Sequence, residues 1–130
     1  MNETYQIENV PLFANLPPAQ LDALRKDALR QLYKAGETIF HHGELPEHLY
    51  IVEEGVIDIV LPARGEEIIL ATIEAGSFFG ELSVFDSHPR TATARAAADA
   101  SLICIPLTSI AALTNRSPIA ARQFMSVIIH

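Results

Sequence analysis

Leu49-Tyr50-Ile51-Val52-Glu53-Glu54-Gly55-Val56-Ile57-Asp58-Ile59-Val60-Leu61 holds two short apolar runs, rich in β-branched residues and parted by two acids and a glycine. Such side chains suit a pleated, half-buried surface, and each run is too short for most helices. Strands are therefore predicted at Leu49 to Glu53 and Val56 to Leu61. Glu53-Glu54-Gly55 reads as a tight hairpin turn whose glycine supplies a positive φ. The same texture repeats on either side. Gly36, Gly43, Gly55, Gly65, Gly76 and Gly80 recur at intervals of about ten residues, as in an all-β barrel or sandwich.

Thr38 to Phe40, Glu67 to Ile73, Thr91 to Ala97 and Ser101 to Ile105 are the remaining predicted strands. Ala63-Arg64-Gly65-Glu66 places a glycine where a hairpin needs one, and Ala98-Asp99-Ala100 reads as a turn without one. Helices flank this β region. Near the N-terminus Leu21, Leu24, Ala28 and Leu29 share one helical face, with prolines at its start. After Pro106, Leu107 to Leu113 is a predicted short helix capped by Thr108 or Ser109. A last helix opens with Ser117 as N-cap and Pro118 at its first position, and Ile119, Phe124, Val127 and Ile128 form its apolar face. The expected organisation is a single domain: a helical segment over 1–30, a β region over 31–106 and helices over 107–130.

Composition narrows the function classes. The 130 residues are 49% hydrophobic and 19% charged, the balance of one compact globular domain. A net charge of -7 with nine Lys and Arg leaves no basic stripe to neutralise phosphates along a nucleic acid. Apolar runs such as Ile68 to Ile73 fall far short of the roughly 18 residues that cross a bilayer, and no basic-then-apolar leader opens the chain. A cytoplasmic protein is expected. The single Cys104, inside Leu102-Ile103-Cys104-Ile105, excludes an internal disulfide or multi-cysteine metal site and is expected to pack in the core.

The order of these elements, with Pro11-Leu12-Phe13 and Leu16, Gly36-Glu37-Thr38-Ile39-Phe40 and Gly43, Leu49 to Val52 with Gly55, Gly76-Ser77-Phe78-Phe79-Gly80-Glu81-Leu82 and Pro89-Arg90-Thr91-Ala92, resembles the cyclic-nucleotide-binding domain. That domain is shared by catabolite activator proteins, cyclic-nucleotide-dependent kinases and gated channels. The resemblance covers nearly the whole chain. It implies a mainly β fold, a β-roll of the double-stranded β-helix or jelly-roll-like type, with an N-terminal helix and C-terminal helices. It also implies cAMP or cGMP as ligand, and no cofactor.

A cyclic phosphate beside a free ribose hydroxyl asks for amide donors and a cation, an acceptor for the hydroxyl, and close backbone approach. Residues 76–92 supply all three. Gly80 lets the main chain come close, and Glu81 to Phe85 can form a short turn whose free N–H groups face an anion. Arg90 adds a planar fork of donors matched to phosphate oxygens. Glu81 can accept from the ribose 2′-hydroxyl, the role of the matching glutamate in the family, a contact worth about 1.5–3 kcal/mol. The resemblance further gives Thr91 a hydroxyl contact to phosphate or base and gives the Ala92 N–H a phosphate contact. Leu82 is expected to pack beneath the turn. Thr91 leaves base choice open, and similarity to bacterial regulators favours cAMP.

Competing readings attach to the same residues. Glu81 and Arg90 also suit an ion pair holding a loop. Arg95 reads as a surface residue on the opposite strand face from Arg90. His41-His42-Gly43-Glu44 and His48 suggest a cupin-type metal enzyme, but adjacent histidines on a strand point to opposite faces, and only His88 and His130 follow. Ser77, Ser83 and Ser87 have no patterned base beyond His88, so no catalytic machinery is expected. The expected function is a sensor without enzyme activity, coupling ligand binding to its last helix, with output through another domain or partner. A same-fold interaction module without nucleotide is the further alternative, and a homodimer is compatible with either. The apolar end Val127-Ile128-Ile129-His130, about three and a half turns past Pro118, favours a fragment of a larger bacterial-type regulator.

Overall fold

The structure, a computed structural model, describes Ile7, residues 10–80 and residues 88–128, with side chains as far as Ser126. A 3-10 turn at Pro11–Phe13 leads into α1 (Pro18–Asp27), followed by β1 (Leu29–Tyr33), β2 (Thr38–Phe40), β3 (His48–Glu54), β4 (Val56–Ala63), β5 (Glu66–Glu74), β6 (Phe78–Phe79), β7 (Thr93–Ala96) and β8 (Ala100–Pro106). Helices α2 (Leu107–Arg116) and α3 (Pro118–Ile128) complete the described chain. The strands form two antiparallel four-stranded sheets, ordered β1-β8-β3-β6 and β2-β7-β4-β5. The mainly β class with flanking helices is as expected.

Burial explains why β3 and β8 read as unbroken apolar runs. Leu49 and Ile51 of β3, with Ile103 and Ile105 of β8, pack under the helices with Phe13, Leu24, Ile110 and Phe124. Their alternate neighbours Tyr50, Val52, Leu102 and Cys104 fill the space between the sheets with Phe40, Ile57, Phe79 and Ala94. A strand covered on both faces shows no polar alternation. Cys104 sits in that inter-sheet core, and burial pushes its thiol up to about 12. On β4 the buried positions are Ile57 and Val60, out of step by one, because the register with β5 slips between Ile59 and Val60.

The turn chemistry is partly as read. Arg64 and Gly65 both take positive φ, 54° and 83°, the geometry of a two-residue hairpin loop between β4 and β5. Gly55 also has positive φ, 94°, but it closes no hairpin. Its flanking strands belong to different sheets, so the chain turns a corner there. A Cβ at Gly55 would stand 2.5 Å from the Asp99 carbonyl oxygen and 2.8 Å from Ala100 Cα, so the corner requires glycine for space as well as for φ.

Other expectations are corrected. The N-terminal helix stops at Asp27; Ala28 turns extended, and Leu29, 58% exposed, begins the edge strand that pairs with β8. A five-residue ladder along an otherwise open edge outweighs helical periodicity there. Neither Thr108 nor Ser109 caps α2, whose first residue is Leu107; the Ser109 hydroxyl instead donates to Asp27 at 2.8 Å. Ser117 does cap α3, accepting from the Ala120 N–H at 3.1 Å. Within α3 the inward positions are Ala120 and Phe124, one helical repeat apart, and Phe124 meets Phe13 edge-on at 5.5 Å. Ile119, off that face, is exposed. Side chains of Val127 and Ile128 lie outside the described residues.

Candidate functional site

The site is assembled around Arg90. Strand β7 begins at Thr93, later than predicted, because the preceding residues pair with a loop instead. The Arg90 N–H donates to the Glu44 carbonyl and the Arg90 carbonyl accepts from the Gly43 N–H, each at 2.8 Å. This irregular pairing holds Arg90 against the inter-sheet core, where it is only 6% exposed. Its guanidinium spans two segments: Nη1 donates to the Gly80 carbonyl at 3.1 Å and Nη2 to the His48 carbonyl at 2.6 Å.

An aromatic floor lies beneath the cation. The Arg90 Cζ stands 4.1 Å from the centroid of the Phe40 ring and 6.0 Å from that of Tyr50. Tyr50 stacks on Phe79 at 5.0 Å with 13° between the ring planes, and Phe40 packs against both. Burial pushes the Tyr50 hydroxyl well above its ordinary range, against the opposing effect of the Arg90 guanidinium. Gly80, at φ +85°, leaves little space: a Cβ there would meet Arg90 Nη1 at 3.0 Å and the His48 carbonyl at 3.2 Å, so either neighbour would have to give by a few tenths of an ångström.

Among the predicted residues the structure thus brings Gly80 and Arg90 into contact. Ala92 is buried and Thr91 exposed, immediately after Arg90. Glu81 and Leu82, with the turn expected from Glu81 to Phe85 and the serines Ser83 and Ser87, lie outside the described residues. Arg95 is engaged elsewhere, its fork donating to both carboxylate oxygens of Glu67 on β5 at 2.6 and 2.5 Å. Of the three histidines read as one loop, His41 and His42 are exposed, whereas His48 opens β3 and packs its ring 6.0 Å from that of Tyr50. Among the described residues no group of three or more His, Cys, Asp or Glu is placed to hold a metal.

Two features escaped sequence reasoning. Phe40 and Tyr50 come from strands 50 and 40 residues before Arg90, and no local signal marks an aromatic as the neighbour of a distant cation. The other is a staple across three strands: Arg30 on β1 donates to both oxygens of Glu53 on β3 at 2.7 Å, and Ser101 on β8 donates to Glu53 at 2.8 Å. The Arg30 hydrogen bonds hold the Glu53 carboxyl below its ordinary range against the opposing effect of burial. The site also touches the helical layer. His48, which accepts from Arg90, lies opposite Pro106 in the β3–β8 ladder, and the neighbouring Glu47 carbonyl accepts from the Leu107 N–H at 2.9 Å, where α2 starts.

A model described as the cyclic nucleotide-binding domain matches residues 30–117, which contain β2 to β8, all but the first residue of β1, Gly80 and Arg90. The chain belongs to the cyclic nucleotide-binding domain family. The cyclic AMP receptor protein of Thermus thermophilus is 33% identical over 119 residues, 91% of this chain and 55% of that protein. The cAMP-dependent protein kinase regulatory subunit of Blastocladiella emersonii is 34% identical over 92 residues, 69% of this chain and 23% of that protein. Among solved structures, the N-terminal domain of a transcriptional regulator from Streptomyces coelicolor is similar with a TM-score of 0.78 and 32% identity, covering 92% of this chain and 84% of that one. The chain therefore spans about half or less of the length of these two full-length relatives. The cyclic nucleotide-binding domain is a regulatory domain in such relatives, and the cupin reading has no support from the fold, the histidines or the relatives. Among the described residues no helix is long and apolar enough to cross a membrane.

Proposed function

We propose that residues 1–130 are the single sensing domain of a larger cytoplasmic regulator, and that it binds cAMP through residues 76–92. The observation that carries this reading is the nearly buried guanidinium of Arg90, set against Gly80 on an aromatic floor. A fixed fork of donors in a desolvated setting suits a phosphate, since charge-assisted bonds strengthen away from bulk water. Arg90 takes the phosphate oxygens, helped by the Ala92 N–H, and Gly80 lets the main chain come close. Glu81 accepts from the ribose 2′-hydroxyl, Leu82 serves as apolar support rather than as a ligand contact, and the Thr91 hydroxyl serves the phosphate or the base. The names of the relatives favour cAMP over cGMP.

The domain is proposed to act by binding alone, without catalysis, and to signal through its C-terminal helix to another domain or partner. The Arg90–His48 contact and the Glu47–Leu107 bond support this reading, since they link the site to the start of α2, which packs with α3 in the helical core. Titration calorimetry is the test. Micromolar or tighter binding of cAMP is expected, with cGMP weaker; no heat from either nucleotide at millimolar concentration refutes the reading.

A further inference from the structure

We infer that Phe40 is a positioning residue for nucleotide recognition: its ring holds the Arg90 guanidinium where the fork meets a phosphate. The inference rests on the proposed nucleotide site and deepens it. Phe40 ends β2, is itself 8% exposed, and presents its ring 4.1 Å from the Arg90 Cζ. The negative face of an aromatic ring attracts a cation, and more strongly when both are desolvated. The carbonyls of Gly80 and His48 accept from donors at the end of the fork. A phosphate placed there competes for those same donors. The ring acts on the guanidinium as a whole, so it keeps the cation seated while hydrogen bonds exchange from carbonyl to phosphate.

Tyr50 and Phe79 hold Phe40 in turn, packed at 5.8 and 6.0 Å between centroids. Phe40 therefore has little freedom to follow the guanidinium elsewhere. A leucine in its place keeps an apolar core residue and removes the π face.

The experiment is a double-mutant cycle read by calorimetry with cAMP, on the wild type and on Phe40→Leu, Phe40→Met, Phe40→Tyr, Arg90→Leu and Phe40→Leu/Arg90→Leu. Phe40→Leu and Phe40→Met are expected to weaken binding about tenfold. Phe40→Tyr, which keeps the ring, stays within about threefold of wild type. In the Arg90→Leu background Phe40→Leu changes affinity by less than about twofold. A second readout needs no nucleotide: the Arg90 Nε–H resonance, displaced upfield by the ring current in the wild type and in Phe40→Tyr, returns downfield in Phe40→Met. Equal affinity of wild type and Phe40→Leu, or an equal loss with and without Arg90, overturns the role of Phe40 alone. A wild-type chain that binds neither cAMP nor cGMP overturns the nucleotide reading itself.

Discussion

Arg90→Leu lowers affinity for cAMP by about a hundredfold or more, whereas Arg95→Leu changes it by less than about threefold. The two arginines lie five residues apart and carry the same charge. Only Arg90 is buried at the site, with its fork directed at Gly80 and His48. Two charge-assisted bonds to phosphate, each worth about 1.5–3 kcal/mol, account for the size of the loss. Arg95 instead neutralises Glu67 on a partly exposed sheet face, where ion pairs contribute little. Calorimetry on both variants checks the difference, with thermal unfolding alongside because Arg90→Leu also deprives two carbonyls of a donor. Equal affinity losses in the two variants contradict the assignment of Arg90 to phosphate.

Gly55→Ala destabilises the fold by about 3 kcal/mol or more, while Gly65→Ala costs about 1–2 kcal/mol. Both glycines have positive φ, so both substitutions strain the backbone. At Gly65 nothing lies within 4 Å of an added Cβ, and only that strain is felt. At Gly55 the new atom meets the backbone of Asp99 and Ala100 at 2.5 to 2.8 Å, and the corner joining the two sheets must shift to accept it. Backbone yields less readily than the end of a flexible side chain. Urea unfolding of the two variants separates the contributions, and a Gly55→Ala loss no larger than that of Gly65→Ala contradicts the close approach.

That corner also shows where reading the sequence stops. The strands on either side of Gly55 are legible because their apolar β-branched runs are local properties of the chain. Which strand pairs with which is not local, and the hairpin expected there is a crossing between sheets. Strand β1 and the two-residue β6 escape notice for the same reason, since each exists by pairing with a distant edge, β8 and β3. The N-terminal helix is extended too far in the sequence reading because Ala28 and Leu29 continue its period, and periodicity carries no information about the waiting ladder.

The site divides in the same way. Gly80 and Arg90 were legible because a glycine for close approach and a guanidinium for a phosphate are chemical signals carried by residue type. Phe40, Tyr50 and the His48 carbonyl were not, since their relevance is a matter of which surfaces the fold brings beneath Arg90. Ser117 lies between these cases. Its cap on α3 follows from local Ser-Pro chemistry, but the Gln20 side chain that also donates to it at 2.9 Å arrives from the other end of the chain.

If cAMP lies against Gly80, Arg90, Thr91 and Ala92, adding it to isotopically labelled protein moves the resonances of those residues. The largest changes are expected on those four amides and on the Arg90 Nε–H, with smaller ones at His48 and Leu107 and almost none along Leu29–Tyr33 of β1. Changes centred on β1 or β5, with the Arg90 signals unmoved at saturating cAMP, would contradict that placement.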